Sequence, residues 1–411
     1  MIYPRKLKKE ILRELPNDLT IVITGMRRVG KTFLLQDLFD SLETKNKILL
    51  DLEKPENRQL FSEESYDAVI RNFELLGLSL VDKIPGKTIK SNQRAWIFLD
   101  EIQYFKKTPS VIKYLSDHYW VKFIVTGSSS FYLKNLFSES LSGRKIVFNL
   151  IPLDFGEFLI FKGKKNLPVA HSFKDLTKLN TKMVYALYQA LFTEYLEAGG
   201  FPQAVLTDSP QRRKTFLYEI LHSYLTIDVR TLSDLKGVEE LEKLIYLLPS
   251  RIGQKLDVSK ISAEVGISRQ TVNNYLSFLE DTFIIDRITP FSKSPDREIS
   301  SVPKLYFIDV GLGAVLSGIS EGQRLENVAS FHLSRHYGLN YYQRKSGAEI
   351  DFILDKKIGA EIKTFASDSD YRRLCRLAQD INIKEYYLFS QNLGKERNQN
   401  ILPVLLLGFL E

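Results

Sequence analysis

Gly25-Met26-Arg27-Arg28-Val29-Gly30-Lys31-Thr32 fits the pattern G-x-x-x-x-G-K-[ST], in which backbone amides wrap a phosphate. Its flanks decide the reading. Leu19 to Thr24 (LTIVIT) is a β-branched run suited to a buried strand. Phe33 to Leu42 is apolar at helical spacing, with Leu34, Leu35, Leu38 and Leu42 on one face. Strand, glycine loop, helix is the order this pattern requires. The amides of Gly25, Arg27, Arg28, Val29 and Gly30, with the helix start at Thr32 and Phe33, would surround a β-phosphate. Lys31 would reach the β and γ oxygens, and the Thr32 hydroxyl would bind Mg2+. The expected ligands are a nucleoside triphosphate and Mg2+.

From Leu19 to about Leu150, short apolar runs alternate with helical segments, the pattern of an α/β domain with a largely parallel sheet. Ile48 to Leu52 is a second strand. Ala95 to Leu99 is a third, and it delivers Asp100 and Glu101 at its carboxyl end. Val121 to Thr126 is a fourth, followed by Gly127, Ser128, Ser129 and Ser130. Ligands of open α/β sheets sit beyond the strands' carboxyl ends, where these polar residues collect. Asp100 suits the acid that holds Mg2+. Glu101 suits the carboxylate that polarises the attacking water. One serine of Ser128 to Ser130 would contact the γ-phosphate, and which one is open.

The totals set bounds. A chain of 411 residues holds two to four domains. With 44% hydrophobic and 26% charged residues it reads as a soluble globular protein. The longest apolar run, Ile401 to Leu410, is too short for a bilayer. Five basic residues between Arg5 and Arg13 precede no apolar stretch, so the expectation is cytoplasmic residence with no membrane partner. The single Cys375 rules out an internal disulfide and a multi-cysteine zinc site. A net charge of +7 is compatible with nucleic acid but modest for this length.

GMRRVGKT, IFLDEIQ, the strand end VTGSSS, Gly143-Arg144 before Leu150-Ile151-Pro152-Leu153, and the Gly199-Gly200-Phe201-Pro202 turn together resemble the bacterial and archaeal AAA-type ATPases related to the STAND NTPases. The resemblance extends over nearly the whole chain. It implies a P-loop NTPase fold with ATPase activity. It also makes Arg144 the candidate catalytic arginine that senses the γ-phosphate, with cis or trans action open. Members assemble into rings or rest as monomers, so a homo-oligomer is one expected state. The usual AAA lid is not evident after residue 150.

Residues 154–250 read as a helical connector without a catalytic constellation. Val258 to Val265 is a short helix, Gly266 makes a turn, and Ser268 can cap a second helix through Leu276 and Leu279. Val272, Leu276 and Leu279 face inward, whereas Arg269, Gln270, Asn273 and Asn274 share the outer face. Those side chains suit base edges, arginine to guanine and amides to adenine. Ile284 to Thr289 and Lys304 to Ile308 would form wing strands. A winged helix can serve DNA contact or protein packing, and DNA is the expected partner.

Glu349 to Leu354 and Ile358 to Thr364 bracket the loop Asp355-Lys356-Lys357 as a hairpin. Pairing Leu354 with Ile358 sets Asp351 opposite Glu361 and Glu349 opposite Lys363, all on one face. Facing carboxylates repel unless a divalent cation lies between them, and Lys363 could orient a metal-bound water. Asp-x9-Glu-x-Lys resembles the PD-(D/E)xK nucleases, and Glu326 on the preceding helix matches that family's additional acid. His332 and His336, four apart, read as an exposed helical pair. Arg372, Arg373 and Arg376 form a basic face beside Cys375.

The reading divides the chain into an arm (1–16), a P-loop AAA-type ATPase domain (17–153), a helical connector (154–250), a winged helix-turn-helix (251–310) and a restriction-endonuclease-like α/β domain (311–411). It makes the chain a Mg-dependent ATPase that couples nucleotide state to DNA binding or remodelling. A STAND-type switch controlling protein assembly and an ATP-regulated endonuclease in genome defence are the alternatives.

Overall fold

A computed structural model describes residues 3–62, 65–84, 88–90, 93–128, 143–229, 237–292, 302–316, 318–344, 346–393 and 398–411. The chain divides into two units, Met1–Ile151 and Pro152–Glu411.

In the first unit, β1 (Thr20–Thr24), β2 (Lys47–Asp51), β3 (Ala95–Asp100), β4 (Val121–Gly127) and β5 (Lys145–Asn149) form one sheet in the order β2-β3-β4-β1-β5. All neighbours are parallel, and the sheet matches a P-loop NTPase fold. Every residue of β1, β3 and β4 is buried, because helices cover both faces of a parallel sheet. That is why these strands read as near-continuous apolar runs, broken in β4 by Lys122, rather than alternating ones. The edge strand β5 escaped the sequence reading. It is mostly half-exposed, with Val147 open to solvent and polar residues at both ends.

The amino-terminal arm is the helix Leu7–Glu14, fastened near both ends. Ahead of it, Arg5 donates to Val29 O at 2.8 Å and Ile151 O at 2.7 Å. Beyond it, the buried ammonium of Lys122 on β4 donates to Glu14 O, Asn17 O and Asn17 Oδ1, each at 2.9 Å, and to Leu19 O at 2.6 Å. A buried cation is tolerable when its donors are met in this way.

In the second unit a helical stretch comes first, including Lys182–Ala198, Pro210–Ser223 and Val238–Leu247. The helices Val258–Val265 and Arg269–Asp281 follow, joined through Gly266, with Ser268 accepting from Thr271 N as the cap. The strands β6 (Ile285–Pro290) and β7 (Lys304–Phe307) pair antiparallel. They are also part of a seven-stranded sheet, because β6 runs parallel to β8 (Leu339–Gln343). With β9 (Glu349–Leu354), β10 (Ile358–Lys363), β11 (Glu385–Ser390) and β12 (Ile401–Pro403), the order is β12-β11-β10-β9-β8-β6-β7. Leu374, Leu377 and Ala378 of the helix Asp368–Asp380 pack with Ile350, Ile353 and Leu388 of the sheet.

The Gly199-Gly200 turn has a structural explanation. The Asp309 carboxylate accepts from Gly200 N at 2.6 Å and Leu312 N at 2.9 Å. Gly199 has φ 68°, and a Cβ there would lie 2.3 Å from Asp309 Oδ1. Only glycine permits both the left-handed backbone and this approach.

Candidate functional site

The predicted phosphate loop lies between β1 and the helix Lys31–Ser41. Its first glycine is dictated by space, since a Cβ on Gly25 would fall 2.0 Å from Leu150 O. Lys31 is buried, and its ammonium donates to Gly25 O at 3.0 Å and Met26 O at 2.7 Å, inside the loop itself. Arg28 has positive φ, and Phe33, in the first turn of the helix, is 72% exposed. Arg5 holds the loop from behind through Val29 O, a role that the basic arm hinted at only as charge.

Asp100 and Glu101 follow the carboxyl end of β3, as expected. Asp100 is buried, and hydroxyls of Thr126 and Thr32 hydrogen-bond its carboxyl. Burial and the neighbouring Glu101 charge push Asp100 up, against the two hydroxyls and the Lys31 charge. The pairing of Thr32 with Asp100 gathers the hydroxyl and carboxylate oxygens that Mg2+ takes, so the residues present fit that ion.

Glu101 adopts a left-handed backbone (φ 54°), uncommon for glutamate, and its amide donates to Thr126 Oγ1 at 3.1 Å. Its carboxylate accepts from Ser128 Oγ at 2.6 Å and from Gln103 Nε2, which also donates to Ser128 Oγ at 3.1 Å. Burial works to raise Glu101. The Lys31 charge, the two hydrogen bonds and the Arg27 charge outweigh it, and the group sits below its ordinary value. Of the three candidate serines, Ser128 is beside Glu101, whereas Ser129 and Ser130 lie outside the described residues. Thr126 and Gln103 were not singled out in the sequence, although both stand within its quoted segments.

Arg144 precedes β5 and accepts Thr20 N at its carbonyl, which puts it at the start of β1. The loop follows the other end of that strand. Five residues of strand separate them, on the order of 15 Å. The guanidinium lies 3.4 Å from Asp117, a partly exposed pair. Arg144 is therefore outside the phosphate site of its own chain.

Arg269, Gln270, Asn273 and Asn274 are all exposed on one helix, with Gln270 Nε2 donating to Asn274 Oδ1 at 3.0 Å, while Val272, Leu276 and Leu279 are buried.

The hairpin pairs in the expected register, Leu354 with Ile358 through Phe352 with Ala360. At the next step the Asp351 side chain intervenes, and its Oδ2 accepts Ile362 N at 2.8 Å. Asp351 and Glu361 are both buried. Lys363 lies 2.9 Å from Glu361 Oε1, which Arg373 also contacts, so Arg373 is turned onto a carboxylate rather than left on an open basic face. Glu361 Oε2 is buried with no hydrogen-bond donor among the described residues. Burial and Asp351 raise Glu361, and burial with Asp351 pushes Glu326 upward too.

A metal held by Asp351 and Glu361 meets an arrangement unlike the expected one. Lys304 of β7, 2% exposed, sets its ammonium 3.4 Å from Glu326, 3.5 Å from Glu349 and 3.8 Å from Asp351. Among the described residues, no three His, Cys, Asp or Glu side chains are grouped to hold a metal ion. As arranged, these residues do not fit a divalent cation. The sequence offered little sign of this, because Lys304 is remote from the hairpin and comes from a strand assigned to the wing.

His332 corrects another expectation. It is buried, accepting Phe155 N at Nε2 (3.1 Å) and facing Val328 O from Nδ1 (2.8 Å), which places the proton on Nδ1. His336 is exposed. No helix among the described residues is long and apolar enough to cross a membrane.

Residues 17–159 match the family model described as AAA domain, and residues 189–323 match one described as a domain of unknown function (DUF8612). Over 370 residues, 87% of this chain and 84% of the relative, the sequence is 26% identical to an uncharacterized protein of Haemophilus influenzae. It is 28% identical to an uncharacterized protein of Methanocaldococcus jannaschii over 380 residues, 85% and 76% of the two chains. A solved Walker-type ATPase of Pyrococcus abyssi is similar at 17% identity and a TM-score of 0.43, over 77% of this chain and 96% of that one. The AAA match and the parallel sheet support a nucleotide-binding domain of AAA ATPase type in the first unit.

Proposed function

We propose that the chain is a Mg-dependent ATPase that couples its nucleotide state to DNA binding or remodelling. One observation carries the first half: Lys31, Thr32, Asp100 and Glu101 meet at the carboxyl edge of one parallel sheet. Bound Mg2+ would neutralise phosphate charge, with Thr32 and Asp100 as its holders. Lys31 would exchange the loop carbonyls for phosphate oxygens. Glu101, kept ionised, would take the proton of the attacking water. The exposed row Arg269, Gln270, Asn273 and Asn274 supports a DNA contact by its chemistry.

The test measures ATP turnover without DNA and with single-stranded, duplex and branched DNA, beside particle mass with a non-hydrolysable analogue. Stimulation by DNA is the expected result. Turnover indifferent to DNA, with assembly driven by nucleotide alone, would replace this reading by the STAND-type switch. The endonuclease reading needs a metal where Lys304 sits, and draws no support from this arrangement.

A further inference from the structure

The acidic cluster of the second unit already contains a cation. Lys304 projects from β7 into the space between Glu326, Glu349 and Asp351, at 3.4, 3.5 and 3.8 Å, and is almost wholly shielded from water. Two residues along the same strand, Tyr306 donates to Glu326 Oε1 at 2.7 Å. One strand therefore supplies both the charge and a hydroxyl. On the other side of Asp351, Lys363 and Arg373 meet Glu361.

Four carboxylates thus face three side-chain cations. A divalent ion binds through several oxygens at about 2.0–2.6 Å, drawing them inward around itself. Here the oxygens instead surround an ammonium at hydrogen-bonding and ion-pairing range. A second positive centre among the same oxygens would stand within a few ångströms of Lys304 in a poorly screened interior, where repulsion is strong. The acidic oxygens cannot serve both.

We propose that Lys304 is the resident cation of this cluster and excludes a divalent metal from it. The nuclease-like residues then form a metal-free anchor that ties the β6–β7 hairpin, directly after the helix Arg269–Asp281, to the β9–β10 hairpin. The proposal stands apart from the ATP site.

The test is Mn2+ binding to the full chain without nucleotide, read by electron paramagnetic resonance, in the wild type, Asp351→Asn, Lys304→Met and Lys304→Met with Asp351→Asn. The wild type is expected to bind no Mn2+ at this cluster at about millimolar concentration. Lys304→Met is expected to bind one ion and to gain thermal stability when Mn2+ is added, and Asp351→Asn in that background to lose both. Wild-type Mn2+ binding that disappears in Asp351→Asn alone would overturn the proposal, whatever the folding of the Lys304 variant. A folded Lys304→Met chain that takes no Mn2+ would overturn it as well.

Discussion

The Ser128 hydroxyl donates a 2.6 Å hydrogen bond to the Glu101 carboxylate, joining the ends of two adjacent strands. Under the proposed function, the serine would act on the attacking water through Glu101, as a positioning residue. Ser128→Ala is expected to lower ATP turnover by about 10–100-fold with nucleotide affinity changed less than about threefold. Steady-state rates beside calorimetric affinity check it. A rise in turnover would mean that the tether restrains Glu101.

Lys31 and Glu101 should fail in different ways. Lys31→Ala removes the ammonium proposed to meet the phosphates and is expected to abolish measurable ATP binding. Glu101→Gln keeps the shape but not the base, so ATP should bind while turnover falls by at least about 100-fold. Equal turnover in the two variants would contradict the assignment of roles.

Arg144 is at the wrong end of the sheet for its own site. Arg144→Ala should leave nucleotide affinity of the dilute chain unchanged, and any loss of turnover should emerge only as concentration promotes assembly. Its pairing with Asp117 is partly exposed, so stability should change by no more than about 1 kcal/mol. A loss of affinity at high dilution would show that the guanidinium reaches its own nucleotide.

Asp309 links stability to pH. Burial pushes its carboxyl up to about 6, against the amides of Gly200, Leu312 and Gly311. The folded state therefore holds this proton more tightly than the unfolded state, whose carboxyl titrates near 3.8. Its contribution is present below about pH 4 and is lost as pH rises through about 6, a change of roughly 3 kcal/mol. The stability difference between wild type and Asp309→Asn, from denaturant unfolding between about pH 4 and 7, should shift in that direction. A pH-independent difference would refute it.

Lys122→Met leaves four oxygens at the end of the arm without their buried donor. A loss of about 2–4 kcal/mol is expected, with faster hydrogen exchange in Leu7–Glu14. Wild-type exchange in that helix would show that the remaining contacts, among them Arg5 with Val29 and Lys8 with Asp37, suffice to hold it.

Much of the first unit was legible because its signals are local. A buried parallel strand needs a continuous apolar run, and a phosphate loop needs glycines at set places, so β1, β3, β4 and the loop stood out. Asp100 and Glu101 were visible as the polar pair ending such a run. The hairpin register from Leu354 and Ile358 followed from the three-residue loop between the two runs. The edge strand β5 was missed because a half-exposed strand carries a mixed pattern.

By itself, the sequence determined the first four strands of the first unit, the phosphate loop, and which acids stand at strand ends, since each depends on neighbours a few residues away. Tertiary structure alone decided that Thr126 and Ser128 address Asp100 and Glu101, that Arg144 is remote from its own loop, and that Lys304 enters the acidic cluster. Those relations join residues far apart in the chain, and their energies depend on distance and burial. Neither can be read from spacing along a strand.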